Sequence, residues 1–233
     1  MKAIVFDSGP LITLALNSLL DIIPFLRKKY DGLFYICNAV HIEIIETPSK
    51  SKKFAFESMM IKKLIGDNYL ENFDTKIYQT EVELITSLTN SIYSIKGRNL
   101  TILNAGEIDA LVLAKNINAD ALVVDERTTR LLLENPLRLH KILEKRFNSK
   151  VQIHKENLKE FHRHFSTLKI IRSVELALVG LEHGYFDDYL KYDNVSDLLK
   201  PLLWALKLNG CAISEREIVS LLKLYKGYRP RNI

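Results

Sequence analysis

Apolar residues along this chain fall into two rhythms. Short unbroken runs, Ala3-Ile4-Val5-Phe6 near the start and Ala121-Leu122-Val123-Val124 in the middle, end on Asp7 and Asp125, and each is followed at once by helix-forming sequence. Runs without polar alternation read as strands buried on both faces, the mark of a parallel sheet covered by helices. Leu33-Phe34-Tyr35-Ile36-Cys37, behind the Asp31-Gly32 turn signal, predicts a third strand. Between these, Pro10 opens a helix through Leu16, and a second short helix covers about 21 to 28. Residues 38 to 46 predict a helix capped by Asn38, with Val40, Ile44 and Ile45 on one face and Thr47-Pro48 as its end.

From Ser49 to Leu100 the chain is polar, lysine-rich and interrupted. Two amphipathic helices are predicted in it, one over 54–65 and one over 81–95, where Val82, Ile85, Leu88, Ile92 and Ile95 recur every three or four residues. The core pattern resumes at Asn104, a helix cap whose partner in a capping box is Glu107. A further helix begins at Glu126, and Val151 to His154 predicts one edge strand. Beyond about residue 155 the pattern is all-helical, with amphipathic stretches over 173–184, 196–208 and 214–224 and an Asn209-Gly210 turn. The order predicts a three-layer α/β/α fold with a mostly parallel twisted sheet and right-handed crossovers. The predicted organisation is a domain over 1–155, interrupted by a helical insert at about 49–100, and a helical carboxyl-terminal extension over 156–233.

Composition narrows the class. The 233 residues are 47% hydrophobic and 26% charged, enough for a core and ordinary for a water-exposed surface. No run of eighteen apolar residues occurs, and an acid at position 7 comes too early for a signal peptide, so a cytoplasmic protein without membrane contact is expected. Cys37 and Cys211 lie far apart with no second thiol nearby and read as buried reduced thiols; no cysteine accompanies His162 and His164 at zinc-ligand spacing. Net charge is +5, and Lys223 to Arg231 carries four cations and no anion, a tail compatible with phosphate contacts.

Four acids change this picture. Asp7, Glu43, Asp109 and Asp125 fall at strand ends or in first helical turns. In open parallel sheets ligands bind beyond the carboxyl ends of the strands. Carboxylates gathered there repel one another unless a cation neutralises them, and an all-oxygen set suits a hard divalent ion. No Gly-rich phosphate loop follows the first strand and no Walker-type Gly-Lys-Ser/Thr occurs, which disfavours a small-nucleotide-binding protein.

The strings VFDSGPLITLA, AVHIEI, LNAGEIDALVLA and ALVVDERTTR resemble the PIN domain family of metal-dependent nucleases, which includes the VapC toxins. The resemblance covers roughly residues 1 to 155, and LLKPLLWALKLNGCAISEREIVSLL resembles the helical end of one archaeal and bacterial branch. It implies a catalytic quartet of Asp7, Glu43, Asp109 and Asp125, with Asp7, Asp109 and Asp125 as ligands of Mg²⁺ or Mn²⁺ and Glu43 acting through water. Ser8, Glu107, Glu126 and Thr128 are accessory candidates, and Lys52, Lys53, Arg127 and Arg130 are candidates for nucleic-acid contact. The implied activity is endoribonuclease, the implied role that of the toxin of a toxin–antitoxin pair, with RNA as substrate and DNA left open. An antitoxin protein and a homodimer are the implied partners. Gly9 stands where many relatives have Ser or Thr, and Glu126 where that branch has a second Asp; with Gly9, the long insert and the helical carboxyl terminus, a scaffold that binds RNA or a protein without cutting is the alternative. The nuclease reading requires the four acids to converge at one edge of the sheet.

Overall fold

The computed structural model describes residues 2–50 and 52–228; Arg229 and Arg231 of the basic tail lie outside the described residues. The chain opens with β1 (Ala3–Phe6), α1 (Ser8–Leu16), α2 (Ile22–Tyr30), β2 (Leu33–Cys37), α3 (Asn38–His41), a π-helical turn (Ile42–Glu46) and α4 (Thr47–Ser49). Next come α5 (Ala55–Gly66), β3 (Glu71–Phe73), a 3-10 turn (Thr75–Tyr78), α6 (Gln79–Thr89) and the hairpin strands β4 (Tyr93–Ile95) and β5 (Arg98–Asn99). The middle holds α7 (Ala105–Asn116), β6 (Ala121–Val123), α8 (Arg127–Glu134), α9 (Pro136–Phe147) and β7 (Gln152–Ile153). The remainder is α10 (Lys155–Phe165), β8 (Ile170–Ile171), α11 (Ser173–Glu182), α12 (Asp187–Leu190), α13 (Val195–Leu208) and α14 (Glu215–Leu224).

The main sheet has the order β3-β2-β1-β6-β8, and every pair in it is parallel. All four residues of β1 and all three of β6 are buried, as strands covered on both faces must be. Right-handed crossovers decide which face each helix covers. The chain moves one way from β1 to β2 with α1 and α2, and returns to β6 through α7, so these helices lie on opposite faces. Helix α7 packs across β1, β2 and β6, with α6 and α10 against it, while α11 joins α1 and α2. Residues 106–114 of α7 are all buried, so this helix has no solvent face, and its two carboxylates, Glu107 and Asp109, are carried into the interior.

Several expectations are corrected. The insert contains strands as well as helices: β3 adds to the main sheet beside β2, although Glu71-Asn72-Phe73 carries no strand pattern. An edge strand is specified by backbone pairing, and its side chains remain half exposed here. The second insert helix ends at Thr89, not near Ile95. Ile92 and Ile95 keep the three-residue rhythm while the backbone turns into β4, closed onto β5 by Lys96 and Gly97, whose φ angles of 49° and 77° make a two-residue hairpin turn. β7 pairs antiparallel with β4 in a separate three-stranded sheet instead of edging the main one. The segment beyond residue 155 is not all-helical, because β8 pairs with β6. Cys37, not Asn38, holds the cap position of α3, and the Asn38 amide donates to Asp74 at 2.7 Å. Pro48 does not end the helical run. The Thr47 N–H donates five residues back to Ile42, and this widened turn restarts the helix with Pro48 in its first turn, where a missing N–H costs little.

Both cysteines are buried and free. Among the described residues no helix is long and apolar enough to cross a membrane.

The carboxyl-terminal helices are tied down by Arg172. Its guanidinium donates to Glu175 at 2.6 Å, to Glu217 at 3.0 Å and to the Ala212 carbonyl at 3.2 Å. Arg172→Met is expected to strand two carboxylates and a carbonyl and to cost about 2–3 kcal/mol, below the range for fully buried pairs because both acids are partly exposed. A urea titration with an unchanged slope and a lower midpoint would register it.

Candidate functional site

Strand order reverses between β1 and β6, and a crevice opens beyond the carboxyl ends of strands at such a point. Asp7 and Asp125 flank it. The Asp7 N–H donates to the Val123 carbonyl at 3.0 Å, which fixes the two strand ends side by side. A Cβ on Gly9 would lie 3.7 Å from both Asp125 Cβ and Asp7 Oδ2, so the first turn of α1 runs between the two acids with room for a small side chain.

Asp7 is only 4% exposed, and its pKa is raised to about 7. Burial is the main cause, followed by the charge of Glu107; the N–H groups of Ser8 and Gly9 at the helix start pull it down, and Glu43 pushes it up again. Glu107, also buried, has a raised pKa through burial above all. Its two oxygens are held: Oε2 accepts from the Asn104 N–H at 2.7 Å in the expected capping box, and Oε1 accepts from the Thr129 hydroxyl at 2.7 Å. Glu43 rides on the π-helical turn. Its Oε2 would lie 3.2 Å from a Cβ built on Gly106, so the absence of a side chain there lets this carboxylate approach the start of α7.

Asp125 is anchored by the carboxyl-terminal segment. Its Oδ1 accepts from the Ser173 N–H at 2.8 Å, its carbonyl accepts from the Ala212 N–H at 3.1 Å, and its buried Oδ2 has no hydrogen-bond partner. Burial and the adjacent Asp125 push the neighbouring Cys211 thiol up to about 12, so it stays protonated. Asp109 is bonded to neighbouring elements: its Oδ2 accepts from the Thr75 hydroxyl at 2.9 Å and the Ala39 N–H at 3.2 Å, fastening α3 and the 3-10 turn to α7.

Sequence reasoning expected one quartet, and its members differ in what holds them. Asp7 and Asp125 flank the crevice, Glu43 and the capping residue Glu107 crowd Asp7, and Asp109 supports the neighbouring elements. Among the described residues no three His, Cys, Asp or Glu side chains converge closely enough to hold a metal as they stand. Of the accessory candidates, Ser8 is buried in the first turn of α1, and Glu126 caps α8 by accepting from the Thr128 N–H and, at 2.7 Å, from the Thr128 hydroxyl. Lys53 lines a cavity together with Glu43, with its ammonium 4.8 Å from the Phe54 ring centre. Lys52 and Arg127 are exposed, and Arg130 is paired with Glu134 at 3.1 Å. Thr75, Thr129 and Ser173 escaped sequence reading: each reaches its acid across 22 or more residues, and no local spacing announces such a bond.

The family model for the PIN domain matches residues 3–136, more than half of the chain, and the chain belongs to the PIN domain family. Among curated proteins none matches. Among solved structures, VapBC2 from Rickettsia felis, bound to a DNA fragment from their promoter, is similar at 20% identity with a TM-score of 0.41, over 73% of this chain and 98% of that one.

Because Asp7 keeps its proton to about pH 7 in the folded state, and releases it near 3.8 when unfolded, folding binds a proton across that window. Stability from this group is therefore greatest in acid and falls as pH rises from about 4 to 7, by on the order of 4 kcal/mol. Metal-free protein should melt lower at pH 8 than at pH 5, and Asp7→Asn should melt higher than the parent at pH 8 while losing most of that slope; calorimetric melting across pH measures both.

Proposed function

We propose that this chain is a divalent-metal-dependent endoribonuclease whose acidic centre is formed by Asp7, Glu43, Glu107 and Asp125. One observation carries the reading: Asp7 lies buried at the switch point with two further carboxylates close enough to raise its pKa, and Asp125 beside it keeps a buried oxygen without a partner. Such crowding destabilises the ionised centre unless a cation shares it, and an all-oxygen donor set fits Mg²⁺ or Mn²⁺. A cation bound there would supply charge stabilisation at a phosphoryl group and acidify water.

The side chains divide the remaining work. Asp7 and Asp125, fixed by the β1–β6 pairing, define the floor on which a phosphodiester would rest. Glu43, exposed at the rim, is suited to orient a water for in-line attack and to take its proton. Glu107 is held by Asn104 and Thr129, so its charge stays directed at Asp7. Asp109 is a positioning residue, since its bond to the Ala39 N–H sets the helix that leads to Glu43. RNA is the substrate proposed, and the role proposed is that of a toxin with a protein antitoxin, acting in the cytoplasm; a homodimer would set two centres in one particle.

A second reading has one observation in its favour. With Asp109 engaged by Thr75 and Ala39, a PIN scaffold that binds RNA or a protein without cutting is the alternative.

Titration calorimetry with Mn²⁺ separates them: the nuclease reading expects saturable binding, and RNA bound but uncut with no heat at millimolar Mn²⁺ favours the scaffold. Asp7→Asn and Asp125→Asn should each reduce metal-stimulated cleavage of single-stranded RNA roughly 100-fold or more, with an unchanged circular dichroism spectrum. Gly106→Ala should keep or raise the melting temperature, through helix propensity of up to about 1 kcal/mol. By displacing Glu43 it should also weaken Mn²⁺ binding roughly tenfold, which calorimetry reads without any activity assay.

A further inference from the structure

Beside the acids lies a cavity of about 230 Å³ lined by Ile12, Ile44, Phe54 and Ile61, with Glu43, Lys53 and Glu57 among its polar residues. Its size suits a single flat ring system, smaller than the pockets that take drug-sized molecules. Glu43 belongs to both the cavity and the acidic centre, so the two spaces adjoin. Phe54 stands at the start of α5 with φ 61° and ψ 14°, a left-handed conformation that bulky side chains rarely take. Glycine or asparagine would satisfy that backbone more easily. A phenyl ring kept there, with the Lys53 ammonium at 4.8 Å from its centre, forms an aromatic wall under a cation. The Glu57 carboxylate, in the first turn of α5, lines this cavity and has no hydrogen-bond or ion-pair partner among the described residues.

We infer that this cavity is a base-reading subsite, in which Phe54 stacks a nucleobase next to the cleaved phosphate and the Glu57 carboxylate selects guanine. This rests on the nuclease reading for the neighbouring centre. Single-stranded RNA is recognised by stacking splayed bases on aromatic rings and reading their Watson–Crick edges. A carboxylate only accepts hydrogen bonds, and it accepts two side by side. Guanine alone offers two adjacent donors, N1–H and the N2 amino group. Adenine and cytosine set a ring acceptor beside their amino group, and uracil flanks its one N–H with carbonyls, so each meets the carboxylate with at least one repulsive contact. Lys53 at the same cavity supplies positive charge for the backbone phosphate, which the surrounding acids would otherwise repel.

The test is fluorescence anisotropy with the full chain in calcium buffer, comparing a labelled all-adenine RNA octamer with the same octamer carrying one central guanine. The guanine octamer should bind about tenfold more tightly. Glu57→Gln should bring the two within about twofold, by weakening guanine binding and relieving the repulsion that adenine meets, and Phe54→Leu should weaken both about tenfold. Melting curves confirm that each variant is folded; Glu57→Asp, which keeps the charge but shortens its reach, replaces Glu57→Gln if that variant is not and should lower the ratio. Equal binding of the two octamers by the parent, no binding of either, or a guanine preference that survives the Glu57 change overturns the subsite. Replacing calcium by Mn²⁺ tests the neighbouring centre separately: a guanine octamer bound selectively but left uncut rejects the nuclease reading and keeps the subsite, whereas cleavage without guanine preference does the reverse.

Discussion

Everything distinctive about this molecule depends on the parallel pairing of β1 with β6, in which Ile4, Val5 and Phe6 stand opposite Ala121, Leu122 and Val123. These strands are distant in sequence and adjacent only because the chain reverses its winding direction there. The pairing continues one step past β1, through the Asp7 N–H and the Val123 carbonyl, and that bond brings two acids to the mouth of the same crevice. A register slip by one residue would turn Asp7 toward a helix layer and bury a charge among apolar neighbours. The apolar faces of β1 and β6 therefore enforce the placement of the acids as strictly as any polar contact.

The cost of that placement is electrostatic. Asp7 and Glu107 are both buried with raised pKa values, so the resting centre near neutral pH holds more proton than free carboxylates would. The fold compensates at the edges instead of at the centre: Asn104 and Thr129 bind Glu107, Ser173 binds Asp125, and Thr75 and Ala39 bind Asp109. Each acid is oriented by neutral donors, and none of these bonds brings a Lys or Arg into the crevice. A cation from the side chains would have cancelled the field that makes the site receptive to a metal.

Much of this was legible in the sequence, because it depends on local signals. β1 and β2, the Asn104–Glu107 capping box and the acids closing β1 and β6 follow from apolar runs, cap chemistry and strand-end position. What stayed hidden depends on partners far away. β3 is a strand because β2 lies beside it, and β8 because β6 does. Ile92 and Ile95 mimic a helix because a buried residue before a strand and a half-buried one at its end can share its spacing. Glu107 looked like a cap and is one; that the same carboxylate also presses on Asp7 follows only from the depth of α7. The bond that holds Asp109 could not be read, since Thr75 lies in a stretch that resembles a plain insert.

The anchoring of Asp125 has a consequence for the order of events during synthesis. Its side chain is held by Ser173 and its carbonyl by Ala212, so an acid near the middle of the chain takes these two bonds from residues made well after it. Domains tend to fold from the amino terminus as they emerge from the ribosome. Here the sheet can assemble early, but its acidic crevice lacks one wall until β8, α11 and the loop before α14 have followed. A chain whose translation stops short of that loop carries the acids without the frame that sets them.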